Sequence, residues 1–262
     1  MSPSQLTLRV AGAQINSAGT IEASRRKALG YIRRASGRGA NFILFPEMYL
    51  TDYTTQFDES EAEESLDRIR EGAKRHGIHV LMGTGGKHLG VTTNQVRIYT
   101  KTGKLAGIHE KMLNQAEEGY EPGRRLKVFN LDGLCFAVLI CNDFWATPRS
   151  TRGTIPLLPQ AAQDLGAHVI FHAIACNTGA PPAGVAILKS WHVANHRTWA
   201  YRIGITIVAA NPPGQTGSHV NCGIIGPDGQ YIARLPNKGQ RLFVGDVTVP
   251  RSRKGKTVRS GS

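Results

Sequence analysis

The chain has 262 residues, 40% of them hydrophobic and 19% charged, and carries a formal net charge of +13 with a sequence pI near 9.9. It is long enough to bury a substantial core as one large or two modest domains, and its composition is that of a soluble globular protein. Its longest apolar runs are far too short to span a membrane, and Cys135, Cys141, Cys176 and Cys222 show neither CxxC pairing nor tight metal spacing, which excludes a disulfide scaffold.

Strand-like and helix-like segments alternate from the start. Residues 6–14 read as a strand. Ile21, Ala28, Ile32 and Ala35 then recur at helical spacing with arginines on the opposite face, so an amphipathic helix is predicted there. Residues 41–45 form a short, fully apolar second strand of the kind found in sheet interiors. A charged surface helix is predicted over 61–76 and a strand over 79–83, with the glycine-rich Gly83-Thr84-Gly85-Gly86-Lys87-His88 taken as a turn after that strand. It lacks Walker spacing and a Ser or Thr after the lysine, so it is not read as a phosphate loop.

The middle of the chain is richer in hairpins. Residues 100–104 (Thr-Lys-Thr-Gly-Lys) separate two strand-like runs as a tight turn. A helix ends near 161–165 against Gly166, 169–173 is a buried strand, and 184–202 is the longest predicted helix. Further strands follow at 205–210, 222–225, 231–234 and 242–247, with Pro227-Asp228-Gly229 as a turn. So many late hairpins do not suit a Rossmann sheet, and a pair of mixed sheets covered by helices, of α/β character in one domain over residues 1–250, is expected instead. Much of the basic charge is local, on helix faces (Arg25, Arg26, Lys27, Arg33, Arg34) and in a tail over 251–262, which is expected to be disordered. No nucleic-acid motif or interleaved aromatic accompanies them, so nucleic acid is not an expected partner. The opening Met-Ser-Pro-Ser-Gln lacks the basic and apolar regions of a signal peptide, so a cytoplasmic location is the expectation.

Three residues stand just beyond strand-like apolar runs. Cys141 follows the run Leu134 to Ile140, Glu47 follows Phe42-Ile43-Leu44-Phe45-Pro46, and Lys111 closely follows Leu105-Ala106-Gly107-Ile108. A cysteine attacks as thiolate, and a carboxylate beside it can take the thiol proton, return it to a leaving amine and later activate water. A lysine ammonium can hold a developing oxyanion, with the backbone N–H of Asn142 as a second donor. The set suffices for acyl transfer through a thioester without a metal or cofactor.

The longer segments around these residues carry a resemblance. Residues 43–53 (Ile-Leu-Phe-Pro-Glu-Met-Tyr-Leu-Thr-Asp-Tyr), His109-Glu110-Lys111-Met112-Leu113 continuing to Glu118-Gly119-Tyr120-Glu121-Pro122-Gly123, and Leu139-Ile140-Cys141-Asn142-Asp143 resemble, in order, the glutamate, lysine and cysteine regions of the nitrilase (carbon–nitrogen hydrolase) superfamily. The segments 10–14 and 223–229 also fit its pattern. The resemblance implies a four-layer α-β-β-α sandwich and hydrolysis or condensation at non-peptide C–N bonds, with an amidase-like branch favoured. By position, Glu47 would be general base and acid, Lys111 the oxyanion stabiliser and Cys141 the nucleophile. A second, orienting glutamate would be Glu118, with Glu117 as the alternative. The family's habit of pairing subunits through helices implies a homodimer or higher homo-oligomer.

Two departures bear on substrate. Asp52 stands where the family usually has glycine, and Phe144-Trp145-Ala146 replaces the Arg-Phe-Pro that commonly follows the cysteine segment in amide-hydrolysing members. Asn142-Asp143 also differs from the Trp-Glu of nitrile-hydrolysing members. The expected activity is therefore on a small linear amide, with N-carbamoyl amines or amino acids as an alternative and a catalytically idle scaffold as the reading from another class. Tyr53, Phe144 and Trp145 flank the site segments, and both pocket walls and core packing account for them. Asn177, in the loop after the strand ending near 175, is a substrate-binding candidate. His192 and His196 lie four apart but lack the HExxH glutamate, which makes them structural histidines, and Arg197 and Arg202 read as solvent or salt-bridge residues.

Overall fold

The first strand, β1 (Gln5–Gln14), alternates exposed and buried residues at its start and is wholly buried over its second half, where it runs into the molecule. In this computed structural model, which describes residues 4–88, 90–115, 118–145, 157–176, 182–213, 220–251 and 259–261, it pairs in parallel with the short strand β2 (Phe42–Leu44). Between them runs α1 (Ile21–Ser36), whose start is fixed by the Thr20 hydroxyl accepting from Ala23 N–H and whose buried face carries Ala28, Tyr31, Ile32 and Ala35. The second helix, α2 (Glu59–His76), is capped by the Asp58 carboxylate and ends on Gly77 at φ +61, a left-handed backbone that glycine adopts without strain.

Four further strands complete the first sheet. They are β3 (His79–His88), β4 (Val91–Tyr99), β5 (Leu105–Glu110) and, from the far end of the chain, β12 (Arg241–Pro250). The order is β12-β1-β2-β3-β4-β5, parallel across β1, β2 and β3 and antiparallel elsewhere. The tight turn expected at 100–104 is present, closed by Gly103 N–H to Thr100 O and Thr100 N–H to Lys104 O.

The second sheet has β6 (Leu126–Leu131), β7 (Leu134–Ile140), β8 (Val169–Ala173), β9 (Thr206–Ala210), β10 (Gly223–Ile225), β11 (Tyr231–Arg234) and β13 (Arg259–Gly261), in the order β11-β10-β9-β8-β7-β6-β13. Its centre, β7-β8-β9, is parallel and mostly apolar, as strands buried on both faces are, with His172 of β8 and Thr206 of β9 as buried polar exceptions. Alternate residues of β7 serve two layers. Phe136, Val138 and Ile140 meet Val10, Phe42, Leu44 and Ile98 between the sheets, while Ala137 and Leu139 pack outward. The outer cover is α3 (Asn142–Trp145), α4 (Leu158–Asp164) and α5 (Pro182–Ile203). With α1 and α2 on the first sheet, the layers are α-β-β-α.

One expectation needs correction. The glycine-rich 83–88 segment is not a turn; it is the second half of β3, paired along its length with β4. Its glycines serve close approach instead. A Cβ on Gly83 would stand 1.9 Å from Pro46 O, and one on Gly85 would stand 2.6 Å from the Phe57 ring. Of the tail beyond residue 250, Arg259–Gly261 form β13, which pairs antiparallel with β6 at the sheet edge.

Candidate active site

Glu47, Lys111 and Cys141 follow the C-terminal ends of β2, β5 and β7, and the sandwich brings these ends to one rim. Pro46 and Glu47 lie against Gly83 of β3, and Leu50 N–H donates to Gly83 O. The absent side chain at Gly83 is thus what lets the glutamate loop settle on the sheet. Cys141 N–H donates to Ala173 O, extending the β7–β8 ladder by one step. The chain then turns sharply at Cys141, whose φ of +44 is a left-handed conformation held by a non-glycine residue.

The carboxylate of Glu47 is buried and asymmetrically bound. Its Oε1 accepts from Lys111 Nζ at 2.9 Å and from Asn94 Nδ2 at 2.7 Å, with the Tyr53 hydroxyl donating at 3.5 Å. Its Oε2 is buried and has no hydrogen-bond partner among the described residues. Lys111, fully buried, also donates to both carboxylate oxygens of Glu118 at 2.9 Å and to Tyr53 Oη at 3.3 Å. A buried ammonium is tolerable here because two carboxylates face it.

The charges set the protonation states. Burial raises the Glu47 carboxyl above the usual carboxylate range, against the pull of Lys111. Burial alone would lower the Lys111 ammonium, but the neighbouring Glu47, Cys141, Tyr53 and Glu118 outweigh it and hold its pKa well above the ordinary lysine value. The Cys141 thiol is pushed up by its contact with the Cys176 thiol, by burial and by Glu47, and is drawn down by Lys111. Two carboxylates and one ammonium already leave the cluster net negative, so the sulfur favours the thiol until a base removes its proton.

A cleft of about 570 Å³ opens beside Glu47, lined also by Asn16, Ser17, Asp52, Tyr53 and Pro212. Asp52 has φ +61 and its carboxylate accepts from Tyr53 N–H. That explains how an aspartate stands where glycine is usual, since a short polar side chain that bonds its own backbone tolerates the left-handed region.

The other expected residues divide. Glu118 joins the cluster through Lys111, and Tyr53 lines the cleft. Asn142 is buried at the start of α3, where a first-turn N–H has no partner within the helix. Trp145 is not among the described residues that line the cleft; it packs among Trp191, His172, His192 and His196. Phe144 likewise stacks on His172, with ring centroids 4.7 Å apart. Asn177 and Glu117 lie outside the described residues. His196 bonds His172 and His192 bonds Leu188 O, as structural histidines do. Arg197 reaches Gly229 O and Gln230 Oε1, tying α5 to the 227–229 turn. Among the described residues no group of three His, Cys, Asp or Glu side chains could hold a metal ion.

Four residues at the site were assigned no role from the sequence. Asn94, buried inside β4, orients Glu47. Asp143 accepts from Met112 N–H and Leu113 N–H on one oxygen and from Ile140 N–H and His109 Nε2 on the other, tying the lysine loop to the cysteine loop. Cys176 places its sulfur 4.0 Å from that of Cys141, and His172 bonds the Cys141 carbonyl.

The sequence profile of the carbon–nitrogen hydrolase family matches residues 9–256. The chain belongs to that family. Among relatives, the glutamine-dependent NAD(+) synthetase of Thermotoga maritima is 27% identical over 67% of this chain and 30% of its own length, and a nitrilase of Pyrococcus abyssi is 31% identical over 48% of this chain and 52% of its own. The match therefore spans about a third and about half of those two relatives. The omega-amidase NIT2 of Danio rerio is 24% identical over 83% of this chain and 80% of its own. In fold, the chain is similar to the nitrilase-superfamily amidase of Nesterenkonia AN1, with a TM-score of 0.75, 21% identity and coverage of 92% and 90%. It is also similar to a carbon–nitrogen hydrolase from Helicobacter pylori G27, with a TM-score of 0.79, 14% identity and coverage of 92% and 88%. The four-layer sandwich is thus the fold of the family.

Proposed function

We propose that the chain hydrolyses a non-peptide C–N bond in a small linear amide through a thioester on Cys141. The observation that carries this is the state of Glu47, with one oxygen tied to Lys111 and Asn94 and the other buried without a partner, in the charge cluster that includes Cys141. The unpartnered oxygen is the one that takes the thiol proton. Cys141 then attacks the amide carbon, and the oxyanion is held by Lys111 Nζ and the Asn142 N–H. Glu47 returns the proton to the departing ammonia or amine. Water enters, Glu47 takes its proton, and the second tetrahedral intermediate collapses to carboxylic acid and free thiol. Glu118 keeps Lys111 charged and oriented throughout.

Similarity supports the substrate class. Structures of the Nesterenkonia amidase include complexes with acrylamide and butyramide, and one with the acetamide moiety of fluoroacetamide added covalently at its active-site cysteine. A cleft of about 570 Å³ accommodates ligands of that size. The test is ammonia release across short amides, ω-amides of dicarboxylates, N-carbamoyl compounds and nitriles, with Cys141→Ala in parallel. Release from short amides that vanishes in the variant supports the reading. Release confined to N-carbamoyl compounds or nitriles overturns the amide assignment, and release by the variant overturns the mechanism.

A further inference from the structure

Behind the nucleophile lies a buried imidazole pair that the chemistry above does not use. His172, on the helix-facing side of β8, places Nε2 3.1 Å from the Cys141 carbonyl oxygen, and its Nδ1 lies 2.8 Å from Nε2 of His196 on α5. Both side chains are buried, at 0% and 1% exposure. The partners fix the tautomers. A carbonyl only accepts, so His172 carries its proton on Nε2; its bare Nδ1 then accepts from Nε2–H of His196. Burial keeps both rings neutral, with His172 pushed down to about 3 and His196 well below the usual histidine value.

The bond falls on the one peptide that matters most to the proposed oxyanion site. The Cys141 carbonyl is the C=O of the Cys141–Asn142 peptide, and in a planar trans peptide the N–H points opposite to the C=O. Holding that carbonyl toward the helix layer therefore turns the Asn142 N–H away from it. Phe144 N–H, at 3.0 Å, bonds the same carbonyl oxygen. The residue before this peptide sits at φ +44, a conformation costing on the order of 1–3 kcal/mol, so an outside restraint is needed to keep it. Phe144 and Trp145, the residues that depart from the family's usual sequence after the cysteine, are packed on the pair, Phe144 stacked on His172 and Trp145 edge-on to His172 and tilted against His196. The departure and the imidazoles form one unit.

We infer that His172, held in register by His196, is a positioning residue that locks the Cys141–Asn142 peptide so that the Asn142 N–H serves as oxyanion donor. The inference rests on the proposed thioester mechanism. It is tested with His172→Phe, which keeps a ring against Phe144 but removes the donor, His172→Gln, which returns an N–H near the Nε2 position, and His196→Leu, which leaves His172 in place but frees its tautomer. Two rates are compared in each: amide turnover, and alkylation of Cys141 by iodoacetamide followed by peptide mass spectrometry. Displacement of iodide by the thiolate develops no oxyanion, so it reports the nucleophile without the donor.

The expected result for His172→Phe is a fall in kcat of about 100-fold, the scale of a lost oxyanion-hole donor, with KM and the alkylation rate unchanged. His172→Gln recovers most of the loss, and His196→Leu shows a smaller loss in the same direction. Equal falls in turnover and alkylation indicate a collapsed site and overturn the inference, as does unchanged kcat in His172→Phe and His196→Leu. Wild-type protein that alkylates at Cys141 but turns over no amide overturns the hydrolase reading itself, a result separable from any behaviour of the variants.

Discussion

In the proposed reaction Glu47 is the residue on which the chemistry turns, because its two oxygens would have different work. Oε1 is held by donors and Oε2 is not, so the carboxylate is oriented yet still able to accept a proton. Its raised pKa sets a pH dependence with a definite sign. Glu47 acts as base only when ionised, so kcat/KM falls as pH drops through its folded-state value. Burial lifts that value, and the acid limb should therefore lie above the ordinary glutamate value of about 4.3. A limb at or below that value in a pH–rate profile contradicts the assignment. Cys141→Ala should abolish turnover while leaving the circular dichroism spectrum and melting temperature near those of wild type, since only a partly buried sulfur is lost. Glu47, Lys111 and Cys141 were legible in the sequence because each stands just beyond an apolar strand in a recognisable segment. Asn94 and His172 were not, because each is a polar residue inside a strand that belongs to no recognisable segment. Their partners, Glu47 and Cys141, are brought to them only by sheet pairing and sandwich closure.

At the level of elements, the site is assembled by loops that fasten to each other more than to their own strands. Asp143 is the clearest case: three backbone N–H groups, two from the lysine loop and one from the end of β7, converge on its carboxylate, which is fully buried. Asp143→Ala leaves those donors without an acceptor at about 1–3 kcal/mol each, so the urea midpoint should fall steeply; an unchanged midpoint contradicts the clamp. Gly83→Ala should cost about 1–3 kcal/mol by overpacking and should also lower activity, because the added methyl would meet Pro46 O and displace the Glu47 loop. Loss of stability without loss of turnover would separate the glycine from the site. Most strands and helices followed from apolar runs and caps, with small errors at their ends. The glycine-rich half of β3 did not, since glycine is the ordinary mark of a turn and here marks crowding from Pro46 and Phe57 instead.

For the molecule as a whole, two sheets with helices outside leave the rim of the sandwich as the place where strand ends from both sheets meet. The outer face of α5 is unusual for a surface helix. Ile187, Trp191, Ala194, Thr198 and Tyr201 are all exposed and fall along one stripe, with Ile187 at 71% and Tyr201 at 70%. Such a stripe suits burial against a second copy, and sedimentation is expected to give a dimer or larger species that Ile187→Glu with Tyr201→Glu dissociates. A monomer for the unaltered chain contradicts this. Among the described residues no helix is long and apolar enough to cross a membrane. The layered architecture was foreseeable from the order of elements and the family resemblance, whereas the β13 pairing was not, because an arginine-rich tail has no strand pattern of its own.

The most direct test of the account is to quench the enzyme during turnover of a short amide and weigh the peptide that contains Cys141. The account predicts an acyl adduct on Cys141 that rises and decays with ammonia release, and that is absent, along with the release, in Cys141→Ala. Ammonia release from the alanine variant, or steady release with no adduct on Cys141 at any quench time while acyl groups appear on another residue, would contradict it.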